Sequence, residues 1–354
     1  MPTCAILATT LKSKFATVLM LSLNNWRAER KVIGHEWILK LLESAVRNGV
    51  ISHSYLFTGP DGVGKRTLAL EFARYLCCKV SLPPCGSCRD CREILEKSYP
   101  DLKLVEPENG SIKIEQMREL QREAFLAPHH SPYRIFIISD MDKATPEAAN
   151  SLLKILEEPP PHSIFLLTAT SAELLLPTIV SRCQVFNLRP VPEGQIQEFL
   201  EKNWGIESSK ANLLARLSEG CPGKAIRFIQ EEELLKKREE DLEAFLYILK
   251  SDTVARLEWA GGLGKDEERL KEMLKWWILA TRDMLLILEG AKEKVVNADF
   301  LGKLEAAAVK LGRGKIRIGL KELRSILIAL NRNANLRLAL DVLMLKLPGF
   351  SQEV

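Results

Sequence analysis

No apolar run in this sequence approaches the roughly 20 residues that a membrane-spanning helix needs. A long Lys/Arg run is missing too, so the mildly basic balance, +4 at neutral pH, permits contact with nucleic acid without arguing for it. There is no low-complexity segment and no internal repeat, which excludes a solenoid and a disordered linker protein. What remains is a chain of 354 residues, 46% hydrophobic and 27% charged. That is the balance of a soluble globular protein, with length for two or three domains.

The first 30 residues stand apart. Lys12 and Lys14 precede a short apolar run, Phe15 to Leu23, in the manner of a signal peptide. No small-residue cleavage site follows it, and the cysteines downstream suit a reducing compartment, so a cytoplasmic location is expected. Residues 1–30 read as a disordered extension or a mis-assigned start, with Met20 as an alternative initiator.

From about 36 to 189, segments of helical period alternate with short apolar runs. The runs are Ser54–Thr58, Asp101–Val105, Arg134–Ser139 and Ile164–Ala169. Strands that are apolar throughout and alternate with helices predict a parallel sheet covered on both faces. After Arg189 no strand run appears and the pattern is helical to the end. The expected fold is an α/β P-loop core at 31–190, a small helical lid at 191–230 and an all-α domain at 231–354.

The segment Gly59-Pro-Asp-Gly62-Val-Gly64-Lys65 follows a strand and opens a helix. This is the context of a phosphate-binding loop, whose backbone N–H groups and helix N-terminus face phosphate oxygens while Lys65 reaches the outer phosphates. The next position should carry a hydroxyl for Mg²⁺, and it is Arg66. Thr67 comes one residue late, turned by about 100° on a helix. The strand ending at Ile138 should deliver a metal-side acid and then a water-activating acid. Here Ser139 stands at the first place and Asp140 at the second. Both metal-side groups are missing together, so ATP binding is allowed but efficient hydrolysis is not expected.

Five of the eight cysteines fall within fifteen positions. Cys85, Cys88 and Cys91 repeat a C-x₂-C spacing, and a fourth thiolate from Cys77 or Cys78 would complete a tetrahedral, structural Zn²⁺ site.

Three further segments carry a resemblance: ANSLLKILEEPP (149–160), FLLTAT (165–170) and PTIVSRC (177–183). With the phosphate loop they are similar to the clamp-loader branch of the AAA+ ATPases, and more narrowly to bacterial DNA polymerase III subunits of the gamma/tau and delta-prime types. The resemblance covers about 31–230, and NANLRLALDVLMLKLP (333–348) is similar to the closing helix of the delta-prime type. Arg66, Ser139 and Gly223, which stands at the lid position where the motor subunits place an arginine, all depart from the gamma/tau motor. They side with delta-prime, as does the short tail.

That resemblance implies a subunit without catalysis of its own. Arg182, in Ser181-Arg182-Cys183, would be an arginine finger lent to a neighbour's ATP. The last domain would join a collar with gamma/tau and delta subunits, and the assembly would load a sliding clamp onto primed DNA. The resemblance favours Cys78 over Cys77 as fourth ligand, and it places a polar sensor residue at Thr168 or Thr170.

Overall fold

The computed structural model describes residues 32–80, 83–263, 266–332 and 334–350. The reading of residues 1–30 lies outside them. The chain divides into two compact units: residues up to Ala211 together with Gly220–Lys224, and Asn212–Glu219 together with Ala225 onward.

The first unit is built on five parallel strands. They are β1 (Ser54–Thr58), β2 (Leu102–Val105), β3 (Arg134–Ile138), β4 (Ser163–Ala169) and β5 (Gln184–Asn187), in the order β2-β3-β4-β1-β5. Every residue of β1, β3 and β4 is buried, as both-face coverage requires. Alternate residues serve two cores. Tyr55, Phe57, Ile135, Ile137, Ile164 and Leu166 pack with α1 (Glu36–Arg47) and α2 (Lys65–Cys77). Leu56, Phe136, Ile138, Phe165 and Leu167 face α4 (Ile114–Ala124) and α5 (Pro146–Glu157) on the other side. Between α2 and β2 runs the short α3 (Arg89–Leu95). α5 starts where Thr145 caps it, its Oγ1 accepting the N–H of Ala148, with Pro146 at the first turn.

Strand β5 differs from the sequence reading, which had no strand there. Three of its four residues are exposed, and only Phe186 turns inward. It pairs with β1 at the sheet edge, so it carries no apolar run to betray it. A short α6 (Pro177–Val180) precedes it, and α7 (Glu193–Trp204) follows.

The second unit is helical. Its principal helices are α10 (Glu232–Lys250), α11 (Thr253–Gly262), α12 (Glu267–Leu288), α13 (Leu301–Asn331, broken at Gly312) and α14 (Leu336–Lys346). α8 (Ser208–Leu217) and α9 (Pro222–Gln230) run across the boundaries between the units. The second unit's core centres on Trp277, Leu274, Met284, Leu304, Leu323 and Leu343. Trp277 is fully buried, and its indole N–H donates to Asp241 O at 2.8 Å. Arg238 is buried as well, and its guanidinium grips Asn297 and Asp299. Among the described residues no helix is long and apolar enough to cross a membrane.

Candidate functional site

The phosphate loop leaves β1 at Gly59 and enters α2 at Lys65, with Gly64 in a left-handed conformation as the helix N-cap. Its chemistry is turned inward. Lys65 is buried, and its Nζ donates to Gly59 O at 2.6 Å, to Pro60 O at 3.2 Å and to Asp61 Oδ1 at 3.4 Å. An ammonium group has three donors, and the loop itself supplies three acceptors. Arg66 pairs with Glu106, the residue after β2. Thr67 follows it in the first turn of α2, half-buried.

Gly62 is met from outside the loop. Its carbonyl accepts the N–H of Gly223 at 2.8 Å. A Cβ added at Gly223 would lie 2.9 Å from Gly62 O, so the close approach requires glycine. Lys224 lies against the same glycine, its backbone N 3.1 Å from a Cβ built on Gly62. Gly220–Lys224 belong to the first unit, and the segment packs directly on the loop.

The strand-end carboxylates are also engaged. Ser139 is buried. Asp140 adopts φ 52°, its N–H donates to Thr168 Oγ1 at 2.9 Å, and its carboxylate accepts from Lys143 Nζ at 3.0 Å. That hydrogen bond, with Asp61 and Asp142 also near, raises the Lys143 ammonium above its ordinary pKa. Asp142 accepts from Thr170 Oγ1 at 2.9 Å. The two threonines offered by the sequence for the sensor position thus have distinct partners, and Thr168 is the buried one. Lys143 went unnoticed in the sequence, where it is one more charge in a strand-end turn.

The four cysteines converge. The Sγ atoms of Cys78, Cys85, Cys88 and Cys91 all lie within 4.8 Å of one another, and Cys78 and Cys88 are 4.0 Å apart. Thiolates around a tetrahedral Zn²⁺ at about 2.3 Å would stand about 3.8 Å apart. The donor set therefore fits a metal ion after only small shifts. The N–H of Cys88 donates to Cys85 Sγ at 3.3 Å, and that of Cys91 to Cys88 Sγ at 3.4 Å. The N–H groups of Cys88 and Ser87 hold the Cys85 thiol down at about 6. Cys77 turns the other way, into the apolar core, where burial pushes its thiol up to about 12. Four cysteines leave no open coordination position, so a metal here would be structural.

Arg182 lies between α6 and β5. Its carbonyl accepts from Ser54 Oγ at 2.5 Å, at the first residue of β1. Its own phosphate loop begins at the other end of that strand. Five extended residues separate the two, roughly 17 Å. The Arg182 guanidinium pairs with Glu157 at 2.7 Å and donates to Thr178 O at 2.8 Å. Burial pushes the Cys183 thiol beside it up to about 11, as suits a packed group.

Strand, glycine loop, helix and parallel sheet together define a P-loop α/β protein. A family model described as DNA polymerase III, delta subunit, matches residues 34–192. The DNA polymerase III subunit delta′ of Bacillus subtilis is 31% identical over 277 residues, which span 77% of this chain and 84% of that protein. The chain belongs to the DNA polymerase III delta′ family. The DNA polymerase III subunit tau of Escherichia coli is 35% identical over 204 residues, covering 55% of this chain but 32% of tau. A solved gamma-subunit-related protein from Thermotoga maritima aligns over 86% of this chain and 97% of its own, at 21% identity and a TM-score of 0.43.

Proposed function

We propose that this chain is a delta′-type subunit of a bacterial clamp loader, which helps place a sliding clamp on primed DNA in the cytoplasm and lends Arg182 to a neighbouring subunit's ATP. The observation that carries this reading is the separation of Arg182 from its own phosphate loop by the length of β1. A guanidinium near a γ-phosphate stabilises the charge that develops on the transferred group. At that distance Arg182 cannot do so in cis.

The chain's own loop supports a passive role. Lys65 is satisfied by Gly59, Pro60 and Asp61, Arg66 is paired with Glu106, and Asp140 with Lys143. Bound ATP would have to draw Lys65 away from its loop acceptors. Even then no hydroxyl at 66 and no acid at 139 would hold Mg²⁺. The degenerate set Gly59, Gly62, Gly64, Lys65, Arg66, Thr67 and Asp140 thus shapes the fold more than it serves catalysis.

The metal at Cys78, Cys85, Cys88 and Cys91 is read as zinc, because an all-thiolate tetrahedron suits Zn²⁺ without redox chemistry. The partners are gamma/tau and delta subunits, with residues 191–230 as a lid and 231–354 as the collar-forming region.

ATPase assays decide the matter. The purified chain should show negligible turnover, the reconstituted complex should be active, and the complex bearing Arg182→Ala should lose at least tenfold. Turnover by the chain alone, abolished by Lys65→Ala, would instead make it a gamma/tau-type motor.

A further inference from the structure

The guanidinium of Arg182 is not free. Its Nη2 lies 2.7 Å from Glu157 Oε1, and its Nη1 donates to Thr178 O at 2.8 Å and faces Ser181 Oγ at 3.4 Å. Glu157 is the last residue of α5, just ahead of Pro159 and Pro160. Both partners reach solvent: the Arg182 side chain is 32% exposed and that of Glu157 51%. We propose that Glu157 is an in-cis counter-ion that holds Arg182 retracted, so that a neighbour's ATP gains the finger only by competing Glu157 off. The proposal rests on the reading of Arg182 as a finger in trans and names the control on that same residue.

The chemistry follows from what a guanidinium can offer. It presents its N–H groups in a fixed planar fork, so an edge given to a carboxylate is not available to a phosphate. A paired carboxylate also cancels much of the charge that would stabilise the transition state. Coulomb attraction to a triphosphate exceeds that to one carboxylate, so an ATP-loaded neighbour can win, while an empty one leaves Arg182 where it is. The exchange requires only side-chain rotation. The backbone at Arg182 stays fixed by the hydroxyl of Ser54 on its carbonyl and by Ile179 O on its N–H, at 3.1 Å. Exposure keeps the pair weak enough to be reversible. Glu157 acts through Arg182 and is a positioning residue, with no contact of its own to the reacting atoms.

The test uses the reconstituted complex with Glu157→Gln, Arg182→Ala and both together, measuring kcat and KM for ATP separately. Gln is isosteric and Glu157 is exposed, so folding should be unchanged, as a thermal melt of each chain checks. Glu157→Gln should raise kcat about 1.5- to 5-fold, the range an exposed ion pair can withhold. In the Arg182→Ala background the same substitution should do nothing. A kcat that is unchanged or lowered by Glu157→Gln, while Arg182→Ala still impairs, overturns the latch and leaves the finger standing. A gain from Glu157→Gln that persists without Arg182 also overturns it. Normal activity with Arg182→Ala overturns the finger reading itself.

Discussion

The hydroxyl of Ser54, the first residue of β1, is bonded to the carbonyl oxygen of Arg182 at 2.5 Å, tying the backbone at Arg182 to that strand. Ser54 is fully buried, so no water can replace it. Ser54→Ala should cost about 1 kcal/mol in a urea melt. It should also lower the ATPase of the assembled complex, though by less than Arg182→Ala does.

The inward turn of Lys65 makes a second prediction. A lysine kept only for phosphate would be dispensable without nucleotide. Here its ammonium bonds Gly59 O and Pro60 O inside the fold. Lys65→Ala should therefore destabilise the nucleotide-free chain by about 1.5–3 kcal/mol. An unchanged denaturation midpoint would show that the loop does not depend on it.

The close approach of Gly223 to Gly62 makes a third. Gly223→Ala brings a methyl to 2.9 Å from a backbone oxygen, and one segment must move. The expected loss is about 1–3 kcal/mol. Proteolysis near 220–224 should become faster, and mass spectrometry of the fragments would reveal it.

The cysteine cluster separates two adjacent residues. Elemental analysis should find one zinc per chain, retained in Cys77→Ser and lost in Cys78→Ser. Cys77→Ser should still destabilise the protein, because it puts a hydroxyl into the core beside Leu76 and Tyr99. Zinc retained in Cys78→Ser and lost in Cys77→Ser would reverse the assignment.

Asp101 gives a pH dependence. It is buried, which opposes its ionised form. The N–H groups of His129, His130 and Ser131 outweigh that and hold its carboxyl below the usual value. A depressed folded value means that the charged form stabilises the fold. That contribution is complete above about pH 4, the value in the unfolded chain, and is lost as pH falls through the lower folded value. Asp101→Asn should cost about 1–3 kcal/mol at pH 7. Its stability should decline less than the parent's between pH 4 and 2.

Much of the first unit was legible because β1, β3 and β4 are buried on both faces and read as short, bounded runs rich in β-branched and aromatic residues. α2 begins at Lys65, where the glycine loop opens it, with Gly64 as its cap. β5 was missed because an edge strand with one buried side chain leaves no pattern. The convergence of Cys85, Cys88 and Cys91 was written in their spacing, whereas Cys78 needed a resemblance and then geometry to separate it from Cys77. The roles of Glu157, Lys143 and the Gly62–Gly223 contact were not readable. Glu157 and the two glycines meet partners distant in sequence, Lys143 pairs within one strand-end turn, and each residue alone looks like a solvated charge or a turn glycine.

α2 begins in the phosphate loop at Gly64 and ends on Cys78, one of the four gathered thiols. The helix that carries Lys65 is therefore moored at both ends, by glycine backbone at one and by sulfur at the other. Oxidising the thiols, or stripping a metal ion held by them, would slacken the far mooring. The strain would be felt thirteen residues away, at a loop that touches neither.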